Sequence, residues 1–456
     1  MAVEVKAEAA PAAAEQPVTA AEAAEVECEK DESKPKIIEK SSSYREESNF
    51  LSDLKEHEKK ALIELKTKLE DAILGNTLFN NEEKKEAAAK KPSNEAAECE
   101  EKEEEKKTEI DTEIDRDISI WGVPLLPSKG NAKTDVVLLK FLRAREFKIN
   151  DAFEMLRKTL SWRREFKIDS ILEEEFGAEL VSAAYMSGAD RHGHPICYNI
   201  FGVLENEALA SEEKREQFLR WRVQLMEKGV QKLDFKADGV NSLVQINDLR
   251  NLPGPSKKEV RAAVDKAVAL LQDNYPEFVA KNIFINVPFW YFAYHSLLSP
   301  FLTQRTRSKL VFARPSKVTE TLLKYIPIQE IPIQYGGIKI ENDFEFSVSD
   351  DEPTEILIKA GSIETIEIPT PECGTTFIWD LIVQGWEVNY TEEFVPTDEN
   401  SYTMIIQKGK KMSSDEAPVR KTFKNHEAGK IVLTVENCSG KKKKLFYRHK
   451  VKKASC

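Results

Sequence analysis

The chain changes hydrophobic period several times, and each change marks an element. Residues 134–166, "TDVVLLKFLRAREFKINDAFEMLRKTLSWRREF", carry apolar residues at helical spacing. Leu138, Phe141 and Leu142 make one stripe, while Ala152, Met155, Leu156 and Leu160 make a second, so two helices are predicted, the second capped by Asn150. Strand and helix patterns then alternate. "HPICYNIFG", "SLVQIND", "NIFINVP" and "KLVFA" are short apolar runs bounded by turn residues. "EKREQFLRWRVQLMEKGV" and "KEVRAAVDKAVALLQDNY" are helical, the latter with Val260, Ala263, Val264, Ala267, Val268 and Leu271 on one face. Strand–helix–strand order predicts parallel pairing and an α/β layer. After about residue 343 the helical period stops. "TEILIKAG", "ETIEIP", "TTFIWDLIVQGWEVNY", "SYTMIIQKGKKM", "KIVLTVEN" and "KKLFYRHKVK" read as strands; in the third, Phe377, Trp379, Leu381 and Val383 alternate with Asp380 and Gln384. That pattern predicts a separate β-sandwich of about 100 residues.

Upstream the pattern thins. Residues 1–48 are rich in Ala, Glu, Pro and Ser and hold too few apolar residues to offset the entropy of ordering, so they are read as disordered. An island follows, "SNFLSDLKEHEKKALIELKTKLEDAIL", in which Leu62, Leu65, Leu69, Ala72 and Ile73 share a helical face. It predicts an amphipathic helix near 50–73 that docks on the body; the apolar repeat is too short for a coiled coil. Residues 81–117 return to Glu and Lys, the composition of a solvated linker.

One stretch departs from its surroundings. "NVPFWYFAYHSLLSPFL" (286–302) is apolar and aromatic, and "TQRTRSK" follows it at once. It falls short of the roughly 20 uninterrupted apolar residues of a membrane span. Two readings fit: a helix buried on all sides, or a lid over a cavity, for which Phe289, Trp290, Phe292 and Tyr294 supply large area at low rotamer cost. In the second reading Arg305, Arg307 and Lys309 stand near the pocket mouth, where a phosphate head group can sit.

Charge sharpens this picture. The chain is acidic overall, net −12, yet residues 401–456 hold 15 Lys and Arg against 4 Asp and Glu. Such asymmetry suits an anionic partner at one end and a solvating tail at the other. The six cysteines, Cys28, Cys99, Cys197, Cys373, Cys438 and Cys456, are widely spaced without a CxxC pair, which suggests a reducing, cytosolic compartment. The N-terminus lacks the basic and apolar regions of a secretion signal. Catalytic signatures do not appear: no GxxxxGK[ST], no GxGxxG after a strand, no GxSxG. His192 and His194 read as a turn before a strand rather than as metal ligands. A non-enzyme is expected.

The motifs "LLKFLRAREFKINDAFEML", "DRHGHPICY", "LLQDNYPEFVAKNIFINVPFWYFAYHSLLSPFL" and "RSKLVFA" resemble the CRAL-TRIO lipid-binding domain with its N-terminal helical extension, the fold of the yeast-type phosphatidylinositol-transfer proteins. The C-terminal strands resemble a GOLD domain, and the whole layout is that of the plant patellins. The implied division is an acidic, largely disordered tail (1–117) containing the amphipathic helix, the helical extension (118–168), the α/β CRAL-TRIO domain (169–342) and a GOLD-like β-sandwich with a basic C-terminus (343–456). The resemblance implies a pocket floored by the sheet and closed by a gate helix carrying Phe289, Trp290, Phe292, Tyr294, Leu297, Leu298 and Phe301. It implies head-group contacts from Arg145, Glu277, Thr306 and Lys309, with Glu146 departing from the basic residue common after that arginine. It implies a carrier or sensor with no cofactor or metal whose ligand is a phosphoinositide or another hydrophobic molecule, acting peripherally in membrane trafficking from the cytoplasm, including cell-plate formation in cytokinesis. Lys441, Lys442, Lys443, Lys444, Arg448 and Lys450 form a candidate patch for an anionic membrane surface. The competing expectation is an adaptor that recruits trafficking proteins through the GOLD-like domain and acidic tail without exchanging lipid. Nucleic acid is not an expected partner, since no reading motif accompanies the basic end.

Overall fold

The computed structural model describes residues 46–79, 117–204, 209–251, 258–289, 291, 304–347, 350 and 352–452. The island ahead of the linker forms helix α1 (Glu56–Leu74), which buries Ala61, Leu62, Leu65, Leu69, Ala72 and Ile73. A two-residue ribbon of β1 (Ser119–Ile120) and β2 (Val123–Pro124) precedes α2 (Ala132–Ala144) and α3 (Ile149–Glu165). The apolar stripe of α1 packs with those of α2 and α3 in one cluster that also includes Tyr275 and Phe278. Asn131 caps α2 by accepting from the Lys133 N–H. Asn150 does not cap α3. That helix begins at Ile149 after Lys148, and the Asn150 side chain instead accepts from Lys68 of α1 at 2.6 Å, so it ties two helices together.

The α/β layer is built on a five-stranded sheet of β3 (Ala184–Ala189), β4 (Pro195–Ile200), β5 (Leu243–Asp248), β6 (Val279–Ile285) and β7 (Leu310–Phe312), in that spatial order. β3 runs antiparallel to β4, and the remaining pairs are parallel. Helices α4 (Glu212–Val230) and α5 (Lys258–Asn274) make the first two crossovers, and the short α6 (Gln304–Lys309) leads into β7. Side chains alternate across the strands. Ile196, Tyr198, Val244, Ile246, Ile283 and Ile285 therefore share one face and pack under Val318, Leu322 and Tyr335. The other face carries Cys197, Asn199, Gln245, Asn247, Asn282 and Phe284, and α4 and α5 lie over it.

The C-terminal part is an all-β sandwich. Its strands are β8 (Thr354–Ile358), β9 (Ile363–Thr370), β10 (Thr376–Val383), β11 (Val388–Pro396), β12 (Met404–Met412), β13 (Val419–Lys424), β14 (Gly429–Glu436) and β15 (Lys443–Lys452). They form two antiparallel sheets, β13-β10-β15-β8 and β12-β11-β14-β9. Phe377, Trp379, Leu381 and Val383 enter the core between the sheets, as their alternation predicts. Asp380, on the opposite face of the same strand, is also buried. Arg420 at 2.5 Å and Arg448 at 2.8 Å neutralise it, and Asp343 from the preceding segment joins Arg420 at 2.8 Å. Ile328 and Ile338 extend the same core toward the α/β layer.

Candidate functional site

Between the sheet and helices α4 and α5 lies a cavity of about 380 Å³. Its size falls in the range of small-molecule pockets. Phe218, Trp221, Arg222 and Met226 enter it from one face of α4. Val264, Ala267, Val268 and Leu271 enter from α5. These positions explain an oddity in the predicted stripe of α5. Val260, Ala263 and Ala267 are buried, whereas Val268 is 46% exposed, because its side of the stripe borders the cavity rather than packed protein. Phe284, Thr306 and Leu310 complete the rim on the β6–β7 side.

A second, highly charged cluster lies where α2, the β6 entry and α6 meet. Arg305 and Lys309 stand one helical turn apart on α6, so both reach the same acceptor. Glu277 Oε2 lies 2.8 Å from Lys309 Nζ and 2.9 Å from an Arg305 Nη. Burial would raise the Glu277 pKa, but the charges of Lys309 and Arg305 outweigh it and hold the carboxyl below its usual range. Glu277 has a left-handed φ of 57°, and Lys140 Nζ donates to its carbonyl oxygen at 2.8 Å. Lys140 is itself buried beside the Phe278 ring, and burial lowers its pKa to about 7 against the pull of Glu46 and Glu277.

Residues 46–48, read from the sequence as the end of a disordered stretch, enter this cluster. Glu47 lies 2.9 Å from Arg143 Nε and 3.2 Å from Arg305 Nη1. Arg143 donates to the Asn49 side chain and the Ser48 carbonyl, both at 2.6 Å. Glu46 meets His194 Nε2 at 3.0 Å and accepts from the Ser242 hydroxyl, while Asp190 holds His194 Nδ1 at 3.0 Å. Burial would raise the Glu46 pKa, yet hydrogen bonds from His194 and Ser242 bring it to about 2. Burial would lower that of His194, yet Asp190 and Glu46 lift it to about 9. Both ring nitrogens of His194 are thus engaged by carboxylates. Among the described residues no three His, Cys, Asp or Glu side chains group as a metal site.

The structure brings Glu277 and Lys309 into direct contact, and sets Thr306 on the cavity rim one residue from Arg305. Arg145 stands apart. It is the C-cap residue of α2, after which Glu146 and Phe147 turn the chain away in left-handed conformations. The arginine that reaches the cluster is Arg143, on the same face of α2 as Lys140. Arg305 was expected near the pocket mouth from its place after the aromatic stretch, whereas Lys140, Arg143, His194, Glu46 and Glu47 were not singled out from the sequence as binding residues. The signal for two of them was present, since Lys140 and Arg143 interrupt the apolar run "LLKFLRA". Nothing local marks Glu46, which lies 148 residues from His194. Of the gate positions, Phe289 is 80% exposed, with the Arg314 guanidinium 6.0 Å from its ring centre. Trp290, Phe292, Tyr294, Leu297, Leu298 and Phe301 lie outside the described residues. Tyr291 packs near Phe284 and Phe312. Much of the C-terminal basic patch is spent internally: Lys443 is 3.4 Å from Glu387, Lys444 2.5 Å from Glu355, Arg448 2.8 Å from Asp380 and Lys450 2.9 Å from Asp350. Lys441 and Lys442 make no ion pair among the described residues.

Family models match three parts of the chain: "CRAL/TRIO, N-terminal domain" over residues 61–158, "CRAL/TRIO domain" over 181–337, and "Patellin-1-like, C-terminal GOLD domain" over 359–444. Fold, cavity and matches together define a lipid-binding protein of the CRAL-TRIO class that carries a C-terminal GOLD domain. Patellin-4 of Arabidopsis thaliana is 51% identical across 94% of this chain and 93% of its own length. Patellin-3 of the same plant is 44% identical across 92% and 80%. The chain belongs to the patellin family. A phosphatidylinositol transfer protein, SFH5 of Kluyveromyces lactis, is 28% identical over 52% of this chain and 80% of its own. The crystal structure of Sfh5 aligns with a TM-score of 0.40 and 22% identity, covering 58% of this chain and 84% of that one.

Proposed function

We propose that this patellin is a non-enzymatic lipid carrier or sensor that docks peripherally on phosphoinositide-containing membranes during trafficking, cell-plate formation in cytokinesis included. Acyl chains enter the cavity under α4 and α5, and an inositol phosphate head group is read by the cluster around Glu277, Lys309 and Arg305. The observation that carries this reading is a largely apolar cavity that the described side chains leave open, reached by the same short helix that bears the cations. Each buried CH₂ is worth about 0.8 kcal/mol, so a dozen methylenes supply about 10 kcal/mol toward drawing a lipid out of a bilayer. Support for the head group comes from Arg305, whose Nε–H is buried without a hydrogen-bond acceptor among the described residues, a state that favours an arriving anion. The transfer activity in the name of the Kluyveromyces relative points the same way. No described helix is long and apolar enough to cross a membrane, in keeping with peripheral docking.

The test is transfer of labelled phosphatidylinositol between vesicles, paired with flotation on vesicles with and without phosphoinositides. Transfer together with phosphoinositide-dependent flotation is expected. Absence of both favours the adaptor reading, for which the exposed Tyr402, Met404 and Ile405 at edge strand β12 are a surface that a protein partner can cover.

A further inference from the structure

The cavity that holds the acyl part of a ligand is not uniformly apolar. Its floor carries a row of amides on three adjacent strands: Asn199 on β4, Asn247 on β5 and Asn282 on β6, with Asn199 and Asn247 directly paired in register. Strands of a parallel sheet covered on both faces are ordinarily near-continuous apolar runs, so three amides in a row need a reason. Arg222 of α4 lines the same cavity. It donates through Nη1 to Asn199 Oδ1 at 2.9 Å, and its guanidinium lies 5.4 Å from the Trp221 ring centre. Among the described residues no carboxylate pairs with it. Burial lowers its pKa, as expected of a cation enclosed by protein without a counter-charge.

The hydrogen bonds run in one direction, and Arg222 sets it. Arginine has donors and no acceptor, so Asn199 must turn its oxygen toward Arg222 and its Nδ2 toward the sheet. That Nδ2 donates to Asn247 Oδ1 at 3.1 Å, and Asn247 Nδ2 donates to Asn282 Oδ1 at 3.4 Å. Both ends of the row therefore finish in N–H groups, the spare guanidinium donors at one end and the Asn282 amide at the other. A cation enclosed without a counter-charge is costly, and the donors at the two ends of the row offset that cost only when an anion arrives.

We infer that the cavity contains an anion subsite, formed by Arg222 and the Asn199–Asn247–Asn282 row, which selects an amphiphile carrying a carboxylate or phosphate inside the chamber. This subsite is separate from the Glu277–Lys309 cluster, to which Arg222 does not belong. The inference rests on the carrier reading above. It makes the protein a selector of acidic lipids by their buried group as well as by an exposed head.

Two matched pairs of fluorescent probes test it on the full chain: pyrene-decanoic acid against its methyl ester, and a pyrene-acyl lysophosphatidic acid against the corresponding monoacylglycerol. The wild type is expected to bind the anionic member of at least one pair tighter by on the order of tenfold, the scale of one charge-assisted hydrogen bond. The pair showing the preference tells carboxylate from phosphate. Arg222→Met is expected to bring that ratio close to one, and Arg222→Lys to restore part of it. Equal binding of both members of both pairs by the wild type overturns the subsite while leaving the carrier reading intact. So does a ratio unchanged in Arg222→Met. Failure of all four probes to bind sinks the carrier reading itself, and the subsite with it. Because the wild-type ratio alone can overturn the subsite, the test survives a variant that folds poorly.

Discussion

Glu47 pairs with both Arg143 and Arg305; on the carrier reading proposed above a phosphate would compete for the same cations, so replacing Glu47 should strengthen phosphate binding. In Glu47→Gln the charge is lost while the side-chain length is kept. Arg143 retains its hydrogen bonds to Asn49 and Ser48, so the local fold has other anchors. The carboxylate makes two contacts, at 2.9 Å and 3.2 Å. Shielded charge-assisted hydrogen bonds contribute about 1.5–3 kcal/mol each. The Glu47 side chain is 47% exposed, however, and solvent screening pulls such contacts toward roughly 0.2–1 kcal/mol each. An entering phosphate would thus be spared about 0.4–2 kcal/mol of displacement, or about 2- to 30-fold in affinity. Calorimetry of the full chain with a water-soluble, short-chain phosphatidylinositol monophosphate measures this directly. The gain should shrink as salt is raised, since the displaced contacts are partly solvent-facing. An affinity that is unchanged or weaker in Glu47→Gln would refute the idea that the acidic stretch and the ligand compete for the same cations.

Lys309→Met removes one of the two cations on Glu277 and should reduce vesicle transfer of phosphatidylinositol about tenfold or more, with Lys309→Arg retaining most of it; equal transfer by Lys309→Met would exclude the cluster from binding. The Glu46–His194 contact should depend on pH at both ends. The His194 pKa is raised from 6.5 to about 9, so its contribution is full below 6.5 and fades as pH rises through about 9. The Glu46 pKa is lowered from 4.5 to about 2, so its contribution is full above 4.5 and fades as pH falls toward about 2. Hydrogen exchange across residues 46–50, corrected for intrinsic rates, should therefore be slowest between these limits, and a flat profile would count against the pairing. Leu69→Ala, at a position with no exposed surface, should cost about 2–5 kcal/mol in urea unfolding; an unshifted midpoint would mean that α1 unfolds apart from the rest.

The α/β layer and the sandwich were legible because the hydrophobic period changes where the architecture changes, and because Trp379 and its neighbours alternate as a sandwich strand must. Asp380 was read as outward and polar, yet its burial depends on Arg420, Arg448 and Asp343, three residues far from it in sequence. Within the charged cluster, Arg305 and Lys309 were legible as cations that follow the aromatic stretch, while the head-group role of Glu277 was reached only through resemblance. The choice between Arg143 and Arg145 was not legible, for they stand two residues apart at a helix end where only the register of α2 decides which one turns inward. The amide row left a trace in the sequence: Asn199, Asn247 and Asn282 sit inside apolar strands, where an amide has no place unless something polar faces it. Val268 left the opposite kind of trace. It belongs to a regular apolar stripe, and only the structure reveals that part of the stripe lines a cavity among the described residues.

The helical extension belongs to the site it precedes. Lys140 and Arg143 come from α2, whose neighbouring Phe141 and Leu142 are core residues, so the same turn that packs the extension also delivers two cations. Lys140 holds the carbonyl of Glu277, a residue in left-handed backbone geometry. For a residue other than glycine that geometry costs on the order of 1–3 kcal/mol and persists only where surrounding contacts enforce it. Two residues earlier the Tyr275 hydroxyl donates to Glu227 of α4, and Glu227 pairs with Arg163 of α3 at 2.6 Å. The turn carrying Glu277 is therefore pinned on one side by α2 and on the other by α3 through α4. Without the extension, Glu277 would lose the contact that sets its backbone, Tyr275 and Phe278 would lose the apolar cluster around them, and the charged site would lose two of its cations. The family models divide extension and lipid domain into separate matches, but the charged cluster forms only where the two are packed together.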